Sequence, residues 1–160
     1  VDSMVFSARD VMTTQTVSVL PESSLIDIHR LFVEEEIHGA PVVNDEQLVV
    51  GVITSADLLR AVMQEHETGS SGAIYLREMM EFSGPDWQQM PEDFQDRLAQ
   101  LRVEEFMTPQ VVAVSPEASI PEVARMMRAN RVHRVLVMKG ERLEGVISAL
   151  DLMSILEKEA

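Results

Sequence analysis

A chain of 160 residues, 46% hydrophobic and 25% charged, has the composition of a soluble globular protein with enough length for one good core. It has no cysteine, which excludes disulfide frameworks, thiolate nucleophiles and cysteine-ligated zinc, and cytoplasm is the expected location. A net charge of −14 repels phosphate backbones and argues against nucleic-acid binding, while the lack of any apolar run of about 18 residues or of a basic-then-apolar leader argues against a membrane span or signal peptide.

The first predicted element is a short β-branched strand, Thr16 to Val19, ended by Pro21 and a polar cluster. A helix follows, N-capped by Ser24, with Leu25, Ile28, Leu31 and Phe32 on its apolar face and His29 on its surface. Strands Ala40 to Val43 and Leu48 to Ile53 then form a hairpin turning at Asn44-Asp45. A closing helix starts near Ser55 and lays Leu58, Leu59, Val62 and Met63 on the small sheet.

Residues 64–104 read as an insertion. Gly69-Ser70-Ser71-Gly72 is a loop, Ile74 to Phe82 is helical, Gly84-Pro85 is a break, and Pro91-Glu92-Asp93 opens another helix striped by Phe94, Leu98 and Leu101. The insertion either lies on the body of the protein or offers Met80, Trp87 and Met90 to a partner, and the sequence leaves both open. His66, like His29, is expected on a helix surface.

The same succession then returns. Strand Val111 to Val114, a helix capped by Ser119 with Ile120, Val123, Met126 and Met127 inward, and a hairpin of Val135 to Met138 with Leu143 to Ile147 turning at Lys139-Gly140 lead to a helix from Ala149 carrying Leu152, Met153, Ile155 and Leu156. Met126, Met127, Met138 and Met153 are expected in the core.

The recurrence is a duplication. Val11-Met12-Thr13 matches Phe106-Met107-Thr108 and Pro21-Glu22-Ser23-Ser24 matches Pro116-Glu117-Ala118-Ser119 at an offset of 95, and Gly51 to Leu58 matches Gly145 to Leu152 at 94. The expected fold is α/β (α+β): two β-α-β-β-α repeats, 8–63 and 103–160, with the helical insertion 64–104 between them. A unit of about 50 residues is near the limit for an independent core, so the two copies should stack sheet to sheet about a pseudo-twofold axis that creates two related clefts.

The motif that carries chemistry is Gly-x-Ile-Thr/Ser-x-x-Asp, found once per copy where the last strand meets the last helix. Thr54 with Asp57, and Ser148 with Asp151, can form a helix-capping box. A carboxylate there can equally accept hydrogen bonds from vicinal ribose hydroxyls, and its recurrence facing both expected clefts favours that use.

On these residues, with the Met-Thr and Pro-Glu-x-Ser signatures, the two copies resemble cystathionine-β-synthase (CBS) domains, and their pairing resembles a Bateman module. The resemblance implies a non-catalytic regulatory module binding an adenosine compound (AMP, ADP, ATP or S-adenosylmethionine) in clefts between the repeats, with no obligatory cofactor. Carried over, Thr54, Asp57, Ser148 and Asp151 would hold ribose, Thr16, Val17, Val111 and Val112 would line adenine, and His133-Arg134 would meet phosphates, with Arg131 nearby. In the first copy His38-Gly39-Ala40-Pro41 keeps the histidine but replaces the arginine by glycine, and the second has Leu136 where proline is usual, so the two sites should be unequal.

An enzyme is disfavoured by the lack of a nucleophile elbow, a phosphate-binding glycine loop or a zinc-spaced histidine pair. The alternative is a protein-interaction or dimerisation module with unoccupied clefts. Either reading expects a homodimer, an effector protein not encoded here, and no nucleic-acid or membrane partner.

Overall fold

The computed structural model describes residues 6–65 and 92–159. Its elements in order are α1 (Ala8–Val11), α2 (Leu25–Glu35), β1 (Gly39–Val43), β2 (Val49–Thr54), α3 (Ser55–Glu65), α4 (Glu92–Gln100), α5 (Val103–Phe106), β3 (Ala113–Val114), α6 (Ile120–Asn130), β4 (Arg134–Lys139), β5 (Arg142–Ser148) and α7 (Ala149–Glu159). They form two compact units: one of Ser18–Glu46 with Val50–Pro109, the other of the chain up to Val17, Gln47–Val49 and the chain from Gln110 onward. Ile74 to Phe82, His66, Trp87, Met80, Met90 and the loop signals of the insertion lie outside the described residues.

In the first of these units β1 and β2 pair, and α2, α3, α4 and α5 close a core of Leu25, Ile28, Phe32, Val42, Ile53, Leu58, Val62, Leu98 and Val103. The Ser24 hydroxyl caps α2 by accepting from the Asp27 N–H at 3.3 Å, as the Pro-Glu-x-Ser signature leads one to expect. Helix α4 is the amphipathic segment of the insertion, and Leu98 of its stripe is fully buried. The second unit has a three-stranded sheet in the order β3-β4-β5, β3 parallel and β5 antiparallel to β4, under α6 and α7. Ser119 caps α6 through the Glu122 N–H, also at 3.3 Å.

The expected strand at Thr16 to Val19 survives only as a bridge between Val19 and Val42, whereas its counterpart forms β3. Proline explains the difference. In the second repeat the Leu136 N–H donates to the Val112 carbonyl at 3.0 Å and Ala113 pairs with Leu136. The residue in the place of Leu136 is Pro41, which has no N–H to give, so the ladder begins one pair later, at Val19, whose carbonyl accepts from Val43 N–H at 2.8 Å.

Each unit also recruits the leader of the repeat that follows or precedes it in sequence. The Ala8 and Arg9 N–H groups of α1 donate to the carbonyls of Ala118 and Pro116, and the Val103 and Glu104 N–H groups of α5 donate to those of Ser23 and Pro21. Thr13 then exchanges two backbone hydrogen bonds with Val146, at 2.9 and 3.0 Å, and Thr108 two with Val52, both 2.8 Å. These crossings require glycine. A Cβ on Gly145 would stand 2.8 Å from the Thr13 oxygen and from the Met12 sulfur, and one on Gly51 would stand 2.7 Å from the Thr108 oxygen.

Two sets of side chains depart from expectation. His29 is not on the surface but fully buried, because it lies four residues after Leu25 and three before Phe32 on the inward face of α2. Met63 on α3 is 56% exposed, and on α7 Met153 and Leu156 are 59% and 63% exposed: α7 packs Leu152 against the core of its unit and buries Ile155, which leaves Leu150, Met153 and Leu156 outward. Of the expected core methionines Met127 is buried, Met126 and Met138 are half-buried, and Met153 is not in the core.

Gly145→Ala and Gly51→Ala should each cost about 1–3 kcal/mol in urea unfolding, since the crowded atoms include backbone. Gly39→Ala, whose Cβ would make an ordinary 3.4 Å contact with Thr54, should change stability by no more than about 0.5 kcal/mol. Burial also lowers the His29 pKa from 6.5 to about 4. Between those values the unfolded chain binds the proton and the folded chain does not, so stability is complete above pH 6.5 and is lost as pH falls toward 4, by about 3 kcal/mol. Urea midpoints across that range should fall less steeply in His29→Leu than in the parent; parallel curves would contradict this.

Candidate functional site

At the end of β2 the Asp57 Oδ2 accepts the Thr54 N–H at 2.8 Å and the Thr54 hydroxyl at 3.1 Å, and the Asp57 N–H returns to the Thr54 hydroxyl at 3.3 Å. At the end of β5 the Asp151 Oδ2 accepts the Ser148 N–H at 2.8 Å, and the Asp151 N–H returns to the Ser148 hydroxyl at 3.1 Å. Both are capping boxes, formed because the strand runs straight into the helix and leaves its first N–H groups without intrahelical acceptors. The box uses one carboxylate oxygen. Capping and ligand binding are therefore compatible uses of the same residue.

The second oxygen separates the copies. Asp57 Oδ1 is held by Arg60 Nη2 at 2.8 Å, and the carboxylate side chain is only 4% exposed. In the second repeat the place of Arg60 is taken by Ser154, whose hydroxyl donates to the Leu150 carbonyl. Among the described residues no cation reaches Asp151, which is only partly buried. Arg60 was not a sequence candidate; its position three residues after Asp57 on a helix is the signal that points to such a pair.

The start of the preceding strand lies beside each box. The Ser55 N–H donates to the His38 carbonyl and the Ala149 N–H to the His133 carbonyl, both at 2.8 Å. In the second repeat Arg134 stands directly opposite Ser148 in the antiparallel ladder, so the two side chains leave the same face of the sheet about 5 Å apart at Cβ. His133 and Arg134 are exposed. In the first repeat Gly39 occupies the place of Arg134, next to Thr54, and exposed Glu36 stands where the second repeat has exposed Arg131, both as left-handed helix ends with φ 55°. The second edge thus carries three groups that can face an anion, and the first carries exposed His38 with an acid and a glycine in the places of the two arginines.

The remaining candidates are placed less directly. Ala40 and Pro41 are buried in the first repeat's unit, and Thr16 and Val17 are half-buried in the other. Val111 and Val112 are half-buried beside β3, and the Val112 carbonyl is engaged by Leu136. Among the described residues no cluster of three or more histidine, aspartate or glutamate side chains could hold a metal ion, and no helix is long and apolar enough to cross a membrane.

The family model for the CBS domain matches residues 8–64 and 103–158. The chain belongs to the CBS-domain family. Among its relatives, an uncharacterized protein of Methanocaldococcus jannaschii is 28% identical over 152 residues, covering 92% of this chain and 89% of that protein. The CBS domain of a CBS domain containing membrane protein from Sphaerobacter thermophilus is similar at TM-score 0.68 and 27% identity, covering 93% of this chain and 86% of that one. A CBSX2 protein crystallised in complex with AMP is similar in fold at TM-score 0.69 and 21% identity, covering 97% of this chain and 99% of that one. The tandem CBS pair is thus the architecture, and CBS pairs are regulatory modules in general.

Proposed function

We propose that this CBS pair is a non-catalytic sensor of an adenosine-containing ligand (AMP, ADP, ATP or S-adenosylmethionine) and that its preferred edge for a phosphorylated one is Ser148–Asp151. The observation that carries the reading is the pairing of Arg134 with Ser148: it sets a cation beside a capped carboxylate with one oxygen unengaged. Vicinal ribose hydroxyls donate to that oxygen, and phosphates meet Arg134, His133 and Arg131. Such local cations are what an anion needs on a chain of net charge −14. The AMP complex of the CBSX2 protein supports the ligand class. At the first edge His38 stands with Glu36 and Gly39 in the places of the two arginines, so that edge attracts a phosphate less than the second does.

Output passes to an effector protein or to a second copy of the chain. The stripe Leu150, Met153 and Leu156 on α7, 73%, 59% and 63% exposed, supports self-association as a homodimer, since apolar groups at this spacing form one continuous face.

Calorimetric titration with AMP and with ATP should give two unequal sites; two indistinguishable ones would defeat the reading. Arg134→Ala should lower AMP affinity by about tenfold and leave adenosine affinity nearly unchanged. A ligand at about 100 times its dissociation constant should add about 2.7 kcal/mol to stability, and failure of every adenosine compound to raise the melting temperature would leave the interaction module with empty clefts as the function.

Light scattering should find a dimer that Leu156→Glu converts to monomer; a monomeric parent, or a dimer unchanged by the substitution, would remove α7 from the account.

A further inference from the structure

Arg60 does two things at once. Its Nη2 donates to Asp57 Oδ1 at 2.8 Å and to the Phe106 carbonyl at 2.9 Å. Phe106 is the last residue of α5 and lies two residues before Thr108, whose backbone is paired with Val52. A single guanidinium therefore joins the first repeat's capping carboxylate to the leader that crosses its sheet. The second repeat has Ser154 in this position and no equivalent link among the described residues.

We infer that Arg60 is an internal latch on the first repeat's ribose edge, holding the Asp57 oxygen that the second repeat leaves available, so that adenosine itself fills the Ser148–Asp151 edge first. This rests on the ribose reading of both edges proposed above, but its cause is separate from the phosphate-facing cations. A ribose hydroxyl that reaches Asp57 has to replace a charge-assisted hydrogen bond to a nearly buried carboxylate with a neutral one, a poor exchange. At Asp151 the same hydroxyl replaces water.

The latch also couples the site to the fold. Displacing Arg60 from Asp57 disturbs the guanidinium that holds the end of α5, so occupation of the first edge is read at the leader and not only in the cleft. Half of the Arg60 side chain is exposed, which gives it a route to solvent when it swings out.

The test uses adenosine, which has no phosphate and so leaves the Arg134 effect aside, titrated into the full chain by calorimetry. The parent should fill one strong and one weak site. Arg60→Ser, which installs the second repeat's residue, should strengthen the weak site by about tenfold or more. Ser154→Arg, at an exposed helix position that tolerates a long side chain, should weaken the strong site by a similar factor. A merely structural ion pair would lower the melting temperature in Arg60→Ser with both affinities unchanged, and that result, or a loss of affinity at the weak site, overturns the latch while the ligand reading stands. If adenosine, AMP, ATP and S-adenosylmethionine bind neither the parent nor the variants, the ligand reading falls and the latch falls with it. Should Arg60→Ser fail to fold, an unchanged strong site in Ser154→Arg is sufficient to reject the proposal.

Discussion

The fold depends on a close backbone crossing made twice. In each unit a Met-Thr leader lies across the last strand and exchanges two hydrogen bonds with it, Thr108 with Val52 and Thr13 with Val146, over a glycine that cannot carry a Cβ. A small two- or three-stranded sheet buries too little surface to hold itself, and a leader that pairs with its edge and seats a short helix on the turn beyond adds both hydrogen bonds and apolar cover. Because the leader of each repeat is used by the unit containing the other repeat's sheet, neither stretch of sequence makes a complete unit alone. The repeats seen in sequence and the units seen in space are therefore different divisions of the same chain.

The duplicated bonds are conservative and the side chains around them are not. The caps at Ser24 and Ser119, the helix ends at Glu36 and Arg131, the carbonyls of His38 and His133, and the boxes of Asp57 and Asp151 correspond one for one. Differences gather where the box meets solvent: Arg60 against Ser154, Gly39 against Arg134, Glu36 against Arg131. The cap engages one oxygen of each aspartate, so the partner of the outer oxygen is open to change without loss of the cap.

Local signals carried most of what the sequence made legible. Serine caps, helix starts at Ser55 and Ala149 and the amphipathic stripe ending in Leu98 and Leu101 depend on neighbours within four residues, and the structure has them where spacing put them. What was not legible depends on distant partners. The loss of most of the first strand follows from Pro41, more than twenty residues after Thr16. The burial of His29 follows from its phase on the apolar stripe of α2 and not from its polar chemistry, and the exposure of Met153 and Leu156 follows from helix rotation, which a run of apolar residues does not specify. The role of Arg60 is equally non-local: one of its two partners is a carbonyl 46 positions away.

Electrostatics gives the asymmetry its direction. On a chain with 27 acids against 13 lysines and arginines, an anion is repelled at a distance from every surface and is held only where cations are concentrated close by. Arg131, His133 and Arg134 supply such a concentration within four residues at one strand start, fixed there by the αL end of α6 and by the hydrogen bond between His133 and Ala149. The corresponding place in the first repeat has one acid, one histidine and a glycine, and its nearest cation on the box, Arg60, is turned inward onto Asp57. Two edges built from the same bonds thus differ in charge: one is open and cationic, the other has its carboxylate neutralised by Arg60. That difference is what would let a single chain report on a ligand through unequal filling of two otherwise equivalent sites.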